Sequence, residues 1–121
     1  GQRTDIPNLL AAADVGVLAS REEGMPTAVM EGMAAGLPMV VTDVGGNSEL
    51  VIDNKTGILV PPRNPKKMAA ALLSLANDAV RRETMGLEGR ARIRENFSLE
   101  RCVAAYGSLY DSLLKQLTAK I

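Results

Sequence analysis

Two carboxylates, Glu23 and Glu31, flank the point at which a loop gives way to a helix. The loop, Ser20-Arg21-Glu22-Glu23-Gly24-Met25, follows the apolar run 15–19, and Pro26 opens a helical pattern. A helix N-terminus offers unpaired N–H groups and a partial positive charge, which suits it to phosphate. Pro26 has no N–H, so the backbone donors fall to Met25, Thr27 and Ala28. Thr27 adds a hydroxyl, and Gly24 permits close backbone approach. Residues three and four apart share a helix face. Glu31 therefore lies on the face of Thr27 and Ala28, about 5 Å along the axis at about 1.5 Å per residue. From there a carboxylate can accept two hydrogen bonds from a diol such as ribose while phosphates occupy the helix end. Glu23 sits on the loop side of that end, where a sugar on the second of two phosphates would lie. Acidic residues near a helix start also complement its dipole without binding anything, and spacing alone leaves both readings open.

The elements that must position these residues alternate strand and helix over the first 62 residues. Asp5 stands as an N-cap with Pro7 just inside, opening a short helix through Leu9 and Ala13. Residues 15–19, 39–42 and 58–60 are apolar runs of strand length, and 26–35 is helical with Gly36 past its end. Gly45-Gly46 and 54–57 are turns, and 48–52 makes one helical turn. Strands that are apolar throughout, rather than alternating, are buried on both faces, as in a parallel sheet.

Residues 63–121 are helical. Asn64 caps one helix, Asp78 caps a second that ends near Gly86, and 87–95 forms a third that breaks at Asn96. Ser98 caps a long amphipathic helix to about Leu117, whose stripe runs Cys102, Val103, Tyr106, Leu109, Tyr110, Leu113, Leu114 and Leu117. That stripe is expected to pack, on this domain or across to a neighbouring one. Three short parallel strands are few beside so many helices, since doubly wound sheets usually have about five or six. The expectation is half of a doubly wound, Rossmann-like α/β sheet with a helical C-terminal tail, cut from something larger.

Composition removes several function classes. Basic and acidic residues balance at 14 each, so no long-range field gathers nucleic acid. Phe97, Tyr106 and Tyr110 are the only aromatics, too few for a base-stacking platform. A single Cys102 and no His exclude a disulfide framework, a Cys/His zinc site and a His-based triad. No membrane-length apolar run is present, and no signal peptide is expected from the opening Gln2, Arg3, Thr4 and Asp5. A soluble, cytoplasmic protein is expected.

Four motifs in order carry a family resemblance: Ser20/Glu23/Gly24, 31–39, Gly45/Gly46/Glu49, and 56–60. With Glu23-x7-Glu31, Arg90-Ala91-Arg92, Asn96-Phe97-Ser98 and the closing Tyr106/Tyr110 helix, nearly the whole chain resembles glycosyltransferase family 4, retaining enzymes of the two-domain GT-B fold. The resemblance implies the distal part of the C-terminal, donor-binding domain, with 1–62 its α/β part and 63–121 its helical part. It implies transfer of a sugar from a nucleoside diphosphate sugar with retention, with no cofactor and no dedicated metal. Glu31 would bind the donor ribose and Glu23 would act catalytically, against the donor sugar near the reacting centre. Gly24, Met25, Thr27 and Ala28 would meet sugar and diphosphate. Basic phosphate ligands and the acceptor-binding N-terminal domain would precede residue 1, so the chain alone is expected to be inactive; the parent enzyme would be cytoplasmic or peripheral to a membrane.

Two positions depart from the family pattern: Gly32 replaces the usual Ala, and Pro26 stands where many members have a Gly that donates an N–H. Glu22 competes with Glu23, but only Glu23 has the family spacing to Glu31. Gly45-Gly46 reads as a turn first and a donor-site wall second. Glu49 reads as a cap or loop-ordering residue, Met30 and Met33 as core, and Arg81, Arg82, Arg90, Arg92 and Arg94 as a solvated helical surface. The rival to an enzyme fragment is a non-catalytic truncated module that self-associates, or binds a partner, through the exposed edge of strand 15–19. A nucleotide-binding half-fold without transfer activity is a third reading.

Overall fold

A computed structural model describes residues 1–118; the last three of the expected helical part, 119–121, lie outside the described residues. The elements are α1 Ile6–Ala12, β1 Gly16–Leu18, α2 Thr27–Ala34, β2 Met39–Thr42, α3 Asn47–Leu50, β3 Gly57–Val60, α4 Pro65–Ala76, α5 Ala79–Asn96 and α6 Leu99–Thr118. The three strands form one parallel sheet in the order β1-β2-β3. Successive strand residues face opposite sides of a sheet, and β2 divides accordingly. Met39 and Val41 join Val29, Met33, Leu37, Leu50 and Val51 in one core. Val40 joins Ile58, Val60, Ala71, Leu75 and Met85 in the other. Burial on both faces is why β2 reads as an unbroken apolar run. Among the described residues β1 is an edge, paired only with β2, and its Val17 is 48% exposed.

Helix starts follow the local chemistry of their caps. Asn64 Oδ1 accepts from Lys67 N–H at 3.0 Å, Asp78 Oδ1 from Arg81 N–H at 2.9 Å, and Ser98 Oγ from Arg101 N–H at 3.3 Å. Asp5 occupies the cap position of α1, but its carboxylate is taken by the Arg3 guanidinium at 2.7 and 2.6 Å. That pairing lowers the Asp5 pKa and raises that of Arg3. α2 ends in a Schellman turn: Leu37 N–H donates to Gly32 C=O, Gly36 N–H donates to Met33 C=O, and Gly36 takes φ +86°.

Glycines elsewhere serve packing. Gly32 and Gly16 both face the Met39 side chain, whose sulfur would lie 2.5 and 2.3 Å from a Cβ added at either position. The methionine fills the volume that two methyl groups would otherwise claim, which gives the departure at Gly32 a physical reason. Gly86 corrects an expectation. It does not end a helix, and residues 79–96 form one continuous α5. The glycine is there because a Cβ would stand 2.0 Å from the Gly36 carbonyl oxygen at the end of α2. The side chain of Asn96 likewise bonds back to the Arg92 carbonyl at 3.2 Å, so the break falls after it.

Of the two surfaces expected to cover its stripe, α6 does not use this domain. All its residues are exposed, Leu99, Val103, Tyr106, Leu109, Tyr110, Leu113, Leu114 and Leu117 among them, so the stripe is not packed on this domain. Among the described residues no helix is long and apolar enough to cross a membrane.

Gly86→Ala should destabilise the chain by about 1–3 kcal/mol through overpacking, read as a lower urea midpoint with an unchanged slope. Gly107→Ala, which meets no atom within 4 Å, should not lower it. Equal midpoints for Gly86→Ala and the unaltered chain would show that α2 and α5 do not pack as described.

Candidate functional site

The loop after β1 is held from behind by the loop after β2. Thr42, at the end of β2, donates its hydroxyl to the Ser20 carbonyl at 2.7 Å, and Gly46 N–H donates to the Gly24 carbonyl at 2.8 Å. The two backbones touch where Gly45 and Gly46 lie against Glu23 and Gly24. A Cβ at Gly45 would fall 1.8 Å from the Glu23 carbonyl oxygen, and one at Gly46 would fall 2.3 Å from that of Gly24. Gly45 also adopts φ +51°, where an L side chain is strained. The glycine pair is thus a turn, as expected, and also a buttress for the candidate loop.

α3 anchors the buttress. Asn47 is fully buried and donates from Nδ2 to the Thr42 carbonyl at 2.8 Å. At the other end of α3, Arg92 of α5 donates from Nη2 to the Glu49 carbonyl and from Nε to the Leu50 carbonyl, each at 2.7 Å. Its guanidinium also lies 5.4 Å from the centre of the Phe97 ring. The expectation that Arg81, Arg82 and Arg92 merely coat a solvated surface is therefore corrected. Arg92 ties down α3, Arg82 donates to the Leu75 and Ala76 carbonyls at the end of α4, and Arg81 reaches Ser74 and Asn54. Helix-end carbonyls accept from Arg82 and Arg92, and the 42- and 43-residue separations of the Arg92 bonds put them beyond any local spacing rule. Glu49, expected to order its loop, contributes its carbonyl to that anchor rather than its carboxylate.

On the front of the loop, Ser20 Oγ donates to Glu23 Oε1 at 2.5 Å, and Glu23 is half-buried. Glu22 is exposed, so burial separates the two neighbouring carboxylates in the same sense as their spacing to Glu31. Pro26 is the N-cap of α2 rather than its first residue; it is buried, and its carbonyl accepts from Val29 and Met30 N–H. No side chain caps this end. The first-turn N–H groups of Thr27 and Ala28 therefore lack an acceptor within the helix, and both residues are exposed, as are Gly24 and Met25. One turn along, Glu31 is exposed at the margin of an open cleft between α1 and α2 walled by Ile6, Leu10, Ala34 and Ala35. Glu23, Gly24, Met25, Thr27 and Ala28 thus form one contiguous end of α2, with Glu31 further along its flank. Among the described residues, no cluster of His, Cys, Asp and Glu could hold a metal ion. The arrangement offers free N–H donors at a helix start, a fixed carboxylate on one side and an accessible one beside an apolar wall on the other.

Comparison with known proteins places this geometry in context. The profile of the glycosyl transferases group 1 family matches residues 1–78. The chain is 35% identical over 117 residues to the lipopolysaccharide core biosynthesis mannosyltransferase LpsB of Rhizobium meliloti, covering 95% of this chain and 33% of that protein. It superposes on Anabaena HepE in complex with UDP-glucose with a TM-score of 0.88 at 26% identity, covering 93% of this chain and 31% of that one. It also matches the C-terminal domain of a glycosyl transferase group 1 family protein, LpcC, from Francisella tularensis. That match has a TM-score of 0.75 at 26% identity and covers 82% of this chain and 51% of that one. The α/β half-sheet with its long final helix matches the C-terminal domains of GT-B glycosyltransferases. The chain spans about a third of the length of the curated relatives it matches.

Gly46→Ala should push the Gly24 carbonyl away and loosen the loop. Amide exchange at position 46, whose N–H donates to the Gly24 carbonyl, should accelerate while protection in α4 and α5 is kept. Unchanged exchange at that amide would show that the glycine pair does not support the loop.

Proposed function

The chain belongs to the glycosyl transferases group 1 family, and we propose that it supplies part of the donor site of a retaining, family 4 type transferase that uses a nucleoside diphosphate sugar. On this reading residues 1–121 are the distal part of the C-terminal donor-binding domain, 1–62 forming its α/β part and 63–121 its helical part. The observation that carries the reading is the uncapped start of α2 between two carboxylates, at the carboxyl end of β1. Ligands of open α/β sheets sit outside the carboxyl ends of strands, where strand order reverses. β1, β2 and β3 run in one sequential direction, so a reversal would fall at the bare edge of β1, beside the candidate loop.

The chemistry follows from the positions. The diphosphate lies at the start of α2, where the N–H groups of Thr27 and Ala28 and the Thr27 hydroxyl meet its oxygens. Negative charge grows on the diphosphate as the bond to the sugar breaks, and fixed donors at a helix start stabilise that charge more than the ground state. Glu31 accepts hydrogen bonds from the ribose diol, with the apolar wall of α1 beside it. Glu23, oriented by Ser20, meets the donor sugar together with the backbone of Gly24 and Met25. Both carboxylates address neutral hydroxyls, which removes the apparent conflict between acidic residues and a phosphate site. Substrates reach such a site through the whole protein. The edge of β1 and the apolar stripe of α6 are surfaces for its remaining parts, including an acceptor-binding N-terminal domain. Pairing of two β1 edges would be a competing use of the same surface.

In the full-length protein, Glu31→Ala should weaken binding of UDP or GDP by about 1.5–3 kcal/mol, the cost of charge-assisted hydrogen bonds, measured by calorimetry. Glu23→Ala should chiefly lower turnover of the donor while nucleotide affinity is kept. Unchanged nucleotide affinity in the first variant, or unchanged turnover in the second, would remove that residue from the site.

A further inference from the structure

We propose that buried Thr42 is a positioning residue for Glu23, acting through Ser20 from the neighbouring strand. The inference rests on the donor-site reading above and concerns what sets the direction of the carboxylate. Thr42 is 4% exposed, and its single hydroxyl proton is committed to the Ser20 carbonyl, 22 residues earlier in the chain, at 2.7 Å. Its own carbonyl accepts from the buried Asn47 side chain at 2.8 Å. Its backbone is held in β2, where Thr42 stands in register with Val60 of β3. The hydroxyl therefore projects from a point fixed on three sides.

Ser20, by contrast, lies beyond the end of β1, where no ladder holds it. The Thr42 hydroxyl fixes the Ser20 carbonyl and with it the peptide plane from which the Ser20 side chain departs. Ser20 Oγ then donates to Glu23 Oε1 at 2.5 Å. A hydroxyl has one proton to give, so one oxygen of Glu23 is engaged by Ser20 and Oε2 remains for a ligand. The Gly46 N–H bond to Gly24 holds the residue after Glu23, but it acts on the backbone and leaves the carboxylate free to rotate. Among the described residues, only the path through Thr42 and Ser20 reaches the carboxylate itself. Glu31 and the start of α2 are untouched by this path, so it should act on the sugar end of the site and spare the nucleotide end.

The test uses the full-length protein with UDP-glucose, UDP-galactose or GDP-mannose, whichever the unaltered protein turns over, and UDP or GDP for binding. Thr42→Val keeps the shape and deletes the hydroxyl. It should lower kcat about tenfold or more while the nucleotide Kd stays within about twofold, and Thr42→Ser should recover most of the lost kcat. Ser20→Ala should lower kcat comparably, with the double variant no worse than either single one, as expected for two members of one path. Ser20→Ala also decides the matter if Thr42→Val does not fold. The proposal is overturned if kcat is unchanged in Thr42→Val, or in Ser20→Ala where only that variant folds. A parallel fall of kcat and nucleotide affinity, which a purely structural role produces, overturns it as well. Glu23→Ala in the same assay separates the two levels. If it keeps full turnover, the donor-site reading itself fails; if it is impaired while Thr42→Val is not, only the positioning path fails.

Discussion

The geometry of the site depends on two backbones being allowed to touch. The turn after β2 lies against the loop after β1 so closely that a methyl group on either glycine of the pair would collide with a carbonyl oxygen. That contact sets where the chain is when it enters α2, and hence where the free N–H groups and the two carboxylates stand. Its supports come from across the fold. Asn47 is buried beneath it, and Arg92 secures the far end of α3 from α5. A loop at the carboxyl end of an edge strand would otherwise have little to restrain it. Here it inherits the rigidity of β2, which is buried on both faces.

The same principle of close approach recurs in the packing of α2. Gly86 lets α5 meet the carbonyl that ends α2, and Gly16 and Gly32 leave room for the Met39 side chain. α2 is thereby fixed at its end by α5 and along its length by β2. A helix whose start is to bind charge without reorganising must be held in this way, because fixed dipoles stabilise growing charge only if they need not move to do so.

Much of this was legible in the sequence where the controlling chemistry is local. The caps at Asn64, Asp78 and Ser98 and the glycine end of α2 depend on neighbours within a few residues, and the apolar strands betray burial on both faces whatever covers them. The spacing of Glu23 and Glu31 about Pro26 likewise set them on either side of one helix start, and the ordered motifs pointed to a glycosyltransferase. What stayed hidden depends on distant partners. Gly86 looks like a helix terminator unless Gly36 is known to face it, and Arg92 looks like a surface charge unless the end of α3 is known to lie beneath it. The hydroxyl of Thr42 has no meaning until β1 and β2 are paired. The stripe of α6 was read correctly as amphipathic, yet periodicity does not say what covers it.

On the proposed reading the start of α2 receives a diphosphate while Glu31 receives the ribose attached to it. The decisive measurement is a crystal structure of the full-length protein with a bound nucleoside diphosphate sugar. Phosphate oxygens should lie within about 2.7–3.2 Å of the Thr27 and Ala28 nitrogens, and the ribose hydroxyls at a similar distance from the Glu31 carboxylate. A nucleotide bound elsewhere on the domain, or bound at this helix with Glu31 turned to solvent, would contradict it.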